Sequence, residues 1–209
     1  MSGFFVTGTD TNVGKTVLSA LLVAALDGAY WKPVQTGSIE GTDRESVRRW
    51  TGLPEDRFFP EQYCFDPPVS PHLAARLAGA RISLETLHIP ETLSGLPLIV
   101  EGAGGVFAQV NDRELMTDLM RHVGLPVVVA TRTTLGTINH TLMTLAALRA
   151  ARLTVRGVVM IGDEHLENRA AIEHYGNVHV LGRIPVLRTL DRAAFLDAFG
   201  KHFDREAFL

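Results

Sequence analysis

The sequence predicts a single α/β domain with a mostly parallel β-sheet and helices on both faces of the sheet. Short apolar segments alternate along the chain with longer segments of helical pattern. The apolar segments are nearly continuous, which is typical of strands buried on both faces of a parallel sheet. The 209 residues suit one domain of this kind, and no repeat or Pro/Gly/Ser-rich linker divides residues 1–209. In such a sheet, ligands bind at the carboxyl ends of the strands.

Six apolar segments are predicted to be strands. They are Phe4–Gly8, Ala29–Trp31, Leu96–Glu101, Pro126–Thr131, Val155–Ile161 and Val178–Ile184. The segments predicted to be helices are Gly14–Leu26, Asp43–Trp50, Ser70–Gly79, Asp112–His122, Gly136–Ala151, Glu164–Tyr175 and Leu190–Phe199. The Ser-Pro pair that opens the third helix suits its N-cap and first position. The stretch Pro54–Pro71 is rich in Pro and Phe, and we derive no regular structure for it.

The composition argues against several classes of function. A net charge of −3 without a run of Lys or Arg gives no basic surface for nucleic acid. No apolar stretch approaches the ~20 residues that span a bilayer, and the first residues lack the pattern of a signal peptide. The only cysteine, Cys64, excludes an internal disulfide and suits a reducing compartment. We therefore expect a cytoplasmic protein that binds neither nucleic acid nor membranes.

The segment between the first strand and the first helix, GTDTNVGKT at 8–16, predicts a phosphate-binding loop of the P-loop NTPase type. Its glycines let successive N–H groups point inward, and the helix N-terminus adds a positive dipole end. Lys15 is expected to contact the β- and γ-phosphates of ATP, and the Thr16 hydroxyl to bind Mg²⁺. The residues predicted to contact ATP here are Asp10, Thr11, Asn12, Val13, Gly14, Lys15, Thr16 and Val17.

Two features of this loop allow another interpretation. The usual motif has a glycine at the place of Thr9, whereas here the glycine is Gly8. A Gly-Lys-Thr tripeptide also occurs by chance at helix starts. The buried strand before it and the amphipathic helix after it nevertheless favour phosphate binding.

Three more side chains are predicted at the same edge of the sheet. Lys32, in WKPVQTG, follows the second strand and would point over the ligand-binding edge; the alternative is a solvated lysine at a turn. Glu101 ends the third predicted strand, and an acid in this position orders the Mg²⁺ shell in P-loop proteins. Its alternative is a helix or turn cap. Asp43 either completes the metal ligands or caps the helix that it opens.

Together these motifs resemble those of the dethiobiotin synthetase family. Six segments occur in the order seen in that family, over residues 1 to about 185: GTDTNVGKT, WKPVQTG, GTD at 41–43, SPH at 70–72, VEGAGG at 100–105 and LGTINH at 135–140. The resemblance implies a P-loop fold and a homodimer that uses ATP and Mg²⁺. The implied reaction closes the ureido ring of dethiobiotin from 7,8-diaminononanoate and CO₂, through a carbamate and a carbamic-phosphoric anhydride, and leaves ADP and phosphate.

The resemblance also implies roles for individual residues. The matches to catalytic residues are Lys15, Lys32 and Thr11; the matches to magnesium ligands are Thr16, Asp43 and Glu101. The matches to residues that bind the diamine and its carbamate are Thr11, Lys32 and Thr36. The carboxylate tail of the diamine is held in the family by a segment of the partner subunit, matched here by Leu135, Gly136 and Asn139. That segment is a strand–Gly–helix junction, whose free N–H groups suit a carboxylate.

Two positions depart from the pattern of the family. Asn12 lies where some relatives carry an acid beside the diamine. Ile161 lies where many relatives carry an asparagine that reads adenine, although Pro185, in the G-x-I-P-x-L segment at 182–187, matches the other wall of the base pocket.

Two other functions share parts of the pattern. A partition-type or septum-site ATPase usually carries a second lysine inside the phosphate loop, and residues 9–13 contain none. A corrinoid side-chain amidase has a similar EGAG segment, but its glutaminase domain with a nucleophilic cysteine does not fit into 209 residues.

Overall fold

The computed structural model describes residues 2–91 and 95–208, and its main feature is a parallel β-sheet. The strands are β1 (Gly3–Gly8), β2 (Ala29–Trp31), β3 (Val34–Thr36), β4 (Phe58–Phe59), β5 (Tyr63–Phe65), β6 (Leu98–Gly105), β7 (Val127–Arg132), β8 (Val155–Ile161) and β9 (Val180–Ile184). Within the described ranges, seven strands form one sheet in the order β4-β2-β6-β1-β7-β8-β9, and every neighbouring pair is parallel. Strands β3 and β5 pair, also parallel, in a small second sheet.

Helices cover both faces of the main sheet. They are α1 (Lys15–Ala25), α2 (Asp43–Thr51), α3 (Pro71–Leu77), α4 (Met116–Val123), α5 (Thr137–Ala150), α6 (Leu166–Gly176) and α7 (Arg192–His202). Helices α1, α2 and α7 share one apolar cluster with Phe4, whereas α3 to α6 share a second cluster with Phe5. Adjacent residues of β1 thus enter different clusters, because both faces of the strand are buried. The predicted fold class, an α/β domain with a mostly parallel sheet and helices on both faces, is confirmed.

The short strands β3, β4 and β5 are absent from the sequence prediction. Strands β4 and β5 lie in the stretch Pro54–Pro71, for which no regular structure was derived, and they contain only two and three residues. Runs this short show neither a helical nor a strand period. They nonetheless pair with the strands beside predicted site residues, since Phe58 pairs with Tyr30 of β2 and Phe65 pairs with Thr36 of β3.

Two boundaries also differ from the prediction. Strand β6 continues to Gly105, so Glu101 lies inside the strand and not at its end. Helix α4 starts at Met116 and not at Asp112, because the Asn111 side chain accepts hydrogen bonds from the N–H groups of Arg113 and Glu114, both at 2.9 Å. An asparagine that bonds the backbone two residues ahead favours a turn over a helix. The other predicted helices match the structure within three residues at each end.

The helices of the described ranges are too short or too polar for a transmembrane segment: none meets both the length and the hydropathy that crossing a bilayer requires.

Candidate active site

A cavity of about 480 Å³ opens at the carboxyl ends of the central strands. It lies between the β1–α1 loop, the ends of β2 and β3, the start of α2 and the end of β6. A second cavity, of about 690 Å³, lies at the amino ends of the same strands, beside Gly3, Pro97 and Pro126. Only the first cavity borders the predicted phosphate loop, which places the candidate site where parallel α/β sheets bind ligands.

The phosphate loop is shaped by two glycines that side chains would obstruct. A Cβ atom at Gly8 would lie 2.5 Å from a methyl group of Val13, so Gly8 allows the loop to close over the strand end. Gly14 has a φ of 98°, and a Cβ atom there would lie 2.8 Å from Cδ1 of Ile161. Thr9, at the usual place of a glycine, is tied instead to β7 by its N–H group, which donates to the Ala130 carbonyl at 3.0 Å. The displaced glycine of the motif therefore still gives a tight loop.

Lys15 lies in this loop with its ammonium group turned back over the backbone. Its Nζ donates to the carbonyl of Asp10 at 3.0 Å, and the residue is 8% exposed. Burial lowers the pKa of Lys15, and repulsion by Lys32 lowers it further. A bound phosphate chain would relieve this by adding negative charge beside the ammonium group.

Thr16, Asp43 and Glu101 come together although 27 and 85 residues separate Thr16 from the two acids. The Thr16 hydroxyl lies 2.9 Å from Oδ1 of Asp43 and 2.9 Å from Oε1 of Glu101. Hydroxyl and carboxylate oxygens are the hard ligands that Mg²⁺ prefers. Among the described residues, no group of three or more His, Cys, Asp or Glu side chains is arranged to hold a metal. The site offers one hydroxyl and two carboxylates, and oxygens of this kind fit a Mg²⁺ ion that takes its other ligands from water and phosphate.

Lys32 bridges the two acids. Its Nζ lies 2.8 Å from Oδ2 of Asp43 and 3.0 Å from Oε1 of Glu101. Burial by itself would lower the pKa of Lys32, but the attraction of the two carboxylates outweighs it and raises the pKa above its usual value. Burial likewise opposes ionisation of Asp43, and the nearby Lys32 overcomes it and lowers the pKa of that carboxyl. Lys32 and Asp43 therefore form an ionised pair at neutral pH.

For each of these three residues, the structure excludes the alternative without a role at the site. Lys32 is 4% exposed, which excludes a solvated turn lysine. Asp43 does not cap α2, because Thr42 is the N-cap and forms a reciprocal capping box with Glu45. Glu101 is 1% exposed within β6 and contacts side chains, so it is no cap either.

Two buried residues of the site were not predicted from the sequence. Tyr30 donates its hydroxyl to Oε2 of Glu101 at 3.0 Å. Gln35 accepts from the N–H group of Asp43 at 3.2 Å and donates to the carbonyl of Thr36 at 2.8 Å, which ties the start of α2 to the end of β3. A signal for Tyr30 exists in the sequence, because residues two apart on a strand face the same side and Lys32 follows at that spacing.

Most of the predicted site residues line the cavity, and the others do not. Those that line the cavity are Thr11, Asn12, Gly14, Lys15, Thr16, Val17, Lys32, Thr36, Asp43 and Glu101. Val13 is buried beneath the loop, and the Asp10 carboxylate accepts from the N–H group of Thr11 at 2.7 Å. Pro185 lies outside the lining of the cavity.

The predicted tail-binding segment also lies outside the cavity of its own chain. Leu135, Gly136 and Asn139 are all exposed, and Leu135 is as exposed as it would be in an extended chain. The local prediction for this segment holds, since Gly136 is the N-cap of α5, with a φ of 93°, and the helix begins at Thr137. The first N–H groups of a helix have no carbonyl partner inside it.

Comparisons with known proteins place the chain in a family. Residues 2–194 match the family model described as "AAA domain". The chain is similar to two solved structures, each with a TM-score of 0.50. One is a ParA family ATPase from Chlorobium tepidum (13% identical, covering 95% of this chain and 90% of that one). The other is a nucleotide-binding protein in complex with ADP from Archaeoglobus fulgidus (10% identical, covering 95% and 88%). At these identities the likeness shows the fold alone, which is that of P-loop NTPases.

Three curated relatives with far more similar sequences are each named ATP-dependent dethiobiotin synthetase BioD. The protein of Paramagnetospirillum magneticum is 51% identical over 193 residues, which cover 92% of each chain. The proteins of Rhodopseudomonas palustris strain HaA2 (47%, covering 98% of this chain and 95% of that one) and Novosphingobium aromaticivorans (45%, covering both chains completely) are similar over still longer ranges. The chain therefore belongs to the dethiobiotin synthetase family.

Proposed function

We propose that the protein is a cytoplasmic ligase of biotin biosynthesis that forms dethiobiotin from 7,8-diaminononanoate, CO₂ and ATP. The observation that carries the proposal is the convergence of a phosphate loop, a buried lysine and two carboxylates on one cavity. The reaction builds negative charge on carbamate and phosphoryl oxygens, so it needs fixed cations and N–H donors more than a strong base.

The chemistry consists of three bond-forming steps. One amine of the substrate attacks CO₂ and loses a proton, which gives a carbamate. A carbamate oxygen then attacks the γ-phosphorus of ATP, and ADP leaves. The second amine attacks the carbonyl carbon of this mixed anhydride and loses a proton, and phosphate departs with the oxygen that came from CO₂ as the ring closes.

Each of the two lysines of the site would act at a different point of this reaction. Lys15 starts α1 within the phosphate loop, so its ammonium group would hold the β- and γ-phosphates. Lys32 follows β2, lines the same cavity and would stabilise the charge that develops on the carbamate and the transferred phosphoryl group. Thr11 and Thr36, which also line the cavity, would position the diamine and its carbamate by hydrogen bonds.

Mg²⁺ would be held by the oxygens of Thr16, Asp43 and Glu101. When bound, it would neutralise charge on the β- and γ-phosphate oxygens. The two carboxylates give the proposed metal site its negative charge. Contacts of 2.9 Å from the Thr16 hydroxyl to both of them hold the three side chains together. Lys32 balances the same carboxylates and prevents their mutual repulsion.

The mechanism makes a prediction about one oxygen atom. If bicarbonate is labelled with ¹⁸O and the reaction is stopped before the label exchanges with water, the released phosphate should carry one labelled oxygen, because the anhydride breaks at its carbon–oxygen bond. Mass spectrometry of the phosphate measures this. Unlabelled phosphate formed together with dethiobiotin would rule out the anhydride and leave ATP with another role.

Selectivity for the base of the nucleotide should be loose. Ile161 packs against the phosphate loop at Gly14 and has no polar atom to pair with adenine, and losing such a contact weakens discrimination. We expect other nucleoside triphosphates to support kcat/KM within about tenfold of ATP, a window of roughly 1.4 kcal/mol. The matched variant Ile161→Asn should increase the preference for ATP over GTP. Strict ATP dependence of the unaltered protein would show instead that backbone groups near Pro185 or Asp163 read the base.

We further propose that the enzyme is a homodimer in which Leu135, Gly136 and Asn139 bind the carboxylate tail of the diamine in the partner's site. Their exposure outside the cavity of their own chain supports this arrangement. Exposed apolar Met143, one turn after Asn139, adds to a face of α5 that a second copy would cover.

A further inference from the structure

Tyr30 is a buried tyrosine whose hydroxyl group has a single, specific partner at the active site. The residue is 0% exposed, and its ring packs in the apolar cluster that α1, α2 and α7 share. Its hydroxyl donates to Oε2 of Glu101 at 3.0 Å. Tyr30 lies beside Ile99 in the pairing of β2 with β6, and Glu101 follows Ile99 by two residues on the same face of the strand.

Because of this hydrogen bond, the two carboxylate oxygens of Glu101 have different partners. Oε2 faces the Tyr30 hydroxyl, whereas Oε1 lies 2.9 Å from the Thr16 hydroxyl and 3.0 Å from Nζ of Lys32. A carboxylate held at both oxygens cannot rotate about its Cγ–Cδ bond without breaking contacts in a buried place. Only Oε1 is therefore presented to the cavity.

We infer that Tyr30 is a positioning residue that makes Glu101 a one-oxygen ligand and thereby favours Mg²⁺ over larger cations. The inference rests on the proposed metal site and goes beyond it. Mg²⁺ takes six ligands in a near-ideal octahedron, whereas Ca²⁺ takes six to eight and accepts both oxygens of a carboxylate. A carboxylate that cannot offer its second oxygen suits the smaller ion. Partners of this kind, which hold a ligand and do not touch the metal, commonly change metal affinity by ~10- to 100-fold.

The test is the substitution Tyr30→Phe, which keeps the buried ring and removes only the hydroxyl. The affinity of a non-hydrolysable ATP analogue, adenylyl-imidodiphosphate, is measured by calorimetry in excess Mg²⁺, in excess Ca²⁺ and in EDTA. For each ion, the affinity of the analogue with that ion is divided by its affinity in EDTA. The quotient, the Mg²⁺ ratio or the Ca²⁺ ratio, gives the contribution of that ion to binding. We expect the Mg²⁺ ratio to fall ~10-fold in the variant, the Ca²⁺ ratio to stay constant or rise, and the affinity in EDTA to stay unchanged.

Two further variants separate positioning from a general structural effect. Tyr63→Phe removes a hydroxyl that accepts from the N–H group of Ser83, at a tyrosine outside the lining of the cavity, and should leave both ratios unchanged. In a Glu101→Gln background, Tyr30→Phe should cause no further loss of the Mg²⁺ ratio, because its effect passes through that carboxylate. A lowered affinity in EDTA, or an additive effect in that background, would show that Tyr30 only supports the fold.

The outcomes distinguish this inference from the proposed function. If the unaltered protein shows no Mg²⁺ contribution, the proposed metal site is wrong and the inference is wrong with it. If it shows one and Tyr30→Phe retains both ratios, Tyr30 has no positioning role and the metal site stands. If the variant does not fold, the unaltered protein still tests the inferred selectivity for Mg²⁺. A Ca²⁺ ratio equal to its Mg²⁺ ratio would contradict that selectivity.

Discussion

Replacing Lys32 by glutamine should reduce kcat/KM by ~100-fold or more, because one preorganised charge is removed from the transition state. The ammonium group is buried, held by Asp43 and Glu101, and remains protonated because their attraction raises its pKa. Glutamine retains donors that bond the carboxylates but brings no charge to the carbamate or the γ-phosphate. The measurement is steady-state formation of dethiobiotin at saturating Mg²⁺.

The control must separate catalysis from folding, since the substitution leaves Glu101 buried without its cation. Breaking such a pair costs about 3–5 kcal/mol of stability. Activity should therefore be compared at a temperature at which circular dichroism shows the variant to be folded. The sequence contains three lysines, and the third, Lys201, is exposed and paired with Asp197 on α7. Lys201→Gln is the matched variant that should keep full activity. A folded Lys32→Gln variant within a few-fold of the unaltered enzyme would remove Lys32 from the mechanism.

Two inactive variants should restore activity when they are combined in one dimer. Asn139→Asp should repel the carboxylate of the diamine and leave α5 intact, because an acid near a helix N-terminus is favourable. Lys15→Ala should abolish phosphate binding in its own chain. If the tail is bound by the partner, a mixed dimer has one intact site and one doubly damaged site. Random mixing gives half heterodimers with one intact site each, so about a quarter of the full activity should return.

This experiment requires exchange of chains, by co-expression or by unfolding and refolding the mixture. Each variant treated alone in the same way gives the baseline. Native mass spectrometry confirms that heterodimers are present. Activity that stays at the baseline in their presence would mean that each chain forms its site alone.

The sequence predicted those parts of the site that lie within one continuous segment. The loop from Gly8 to Thr16 contains its own geometric requirements, and the structure shows the close approaches that exclude side chains at Gly8 and Gly14. Strands β1, β7, β8 and β9 are apolar enough to be recognised without knowledge of their neighbours. The strands β4 and β5 lack such an apolar pattern and could not be predicted, because they exist through pairing with β2 and β3.

Lys32, Asp43 and Glu101 were also placed at the edge of the sheet that holds the loop, but the individual hydrogen bonds between distant segments could not be predicted from local sequence patterns. Nothing in the sequence around Tyr30 specifies that it bonds Glu101, which lies 71 residues later. Whether Asp43 caps α2 depended on Thr42, which takes the cap and leaves the carboxylate free to meet Thr16 and Lys32. The roles of these residues in catalysis stay predictions, although their convergence on one cavity is what those roles require.

The most direct test of the proposed activity is release of phosphate from MgATP with each substrate supplied alone and then together. We predict rapid release only when 7,8-diaminononanoate and bicarbonate are both present, with one dethiobiotin formed for each phosphate. The carbamate that accepts the phosphoryl group needs both substrates for its formation. Release at the same rate without the diamine or without bicarbonate, or release without dethiobiotin, would contradict the proposed function.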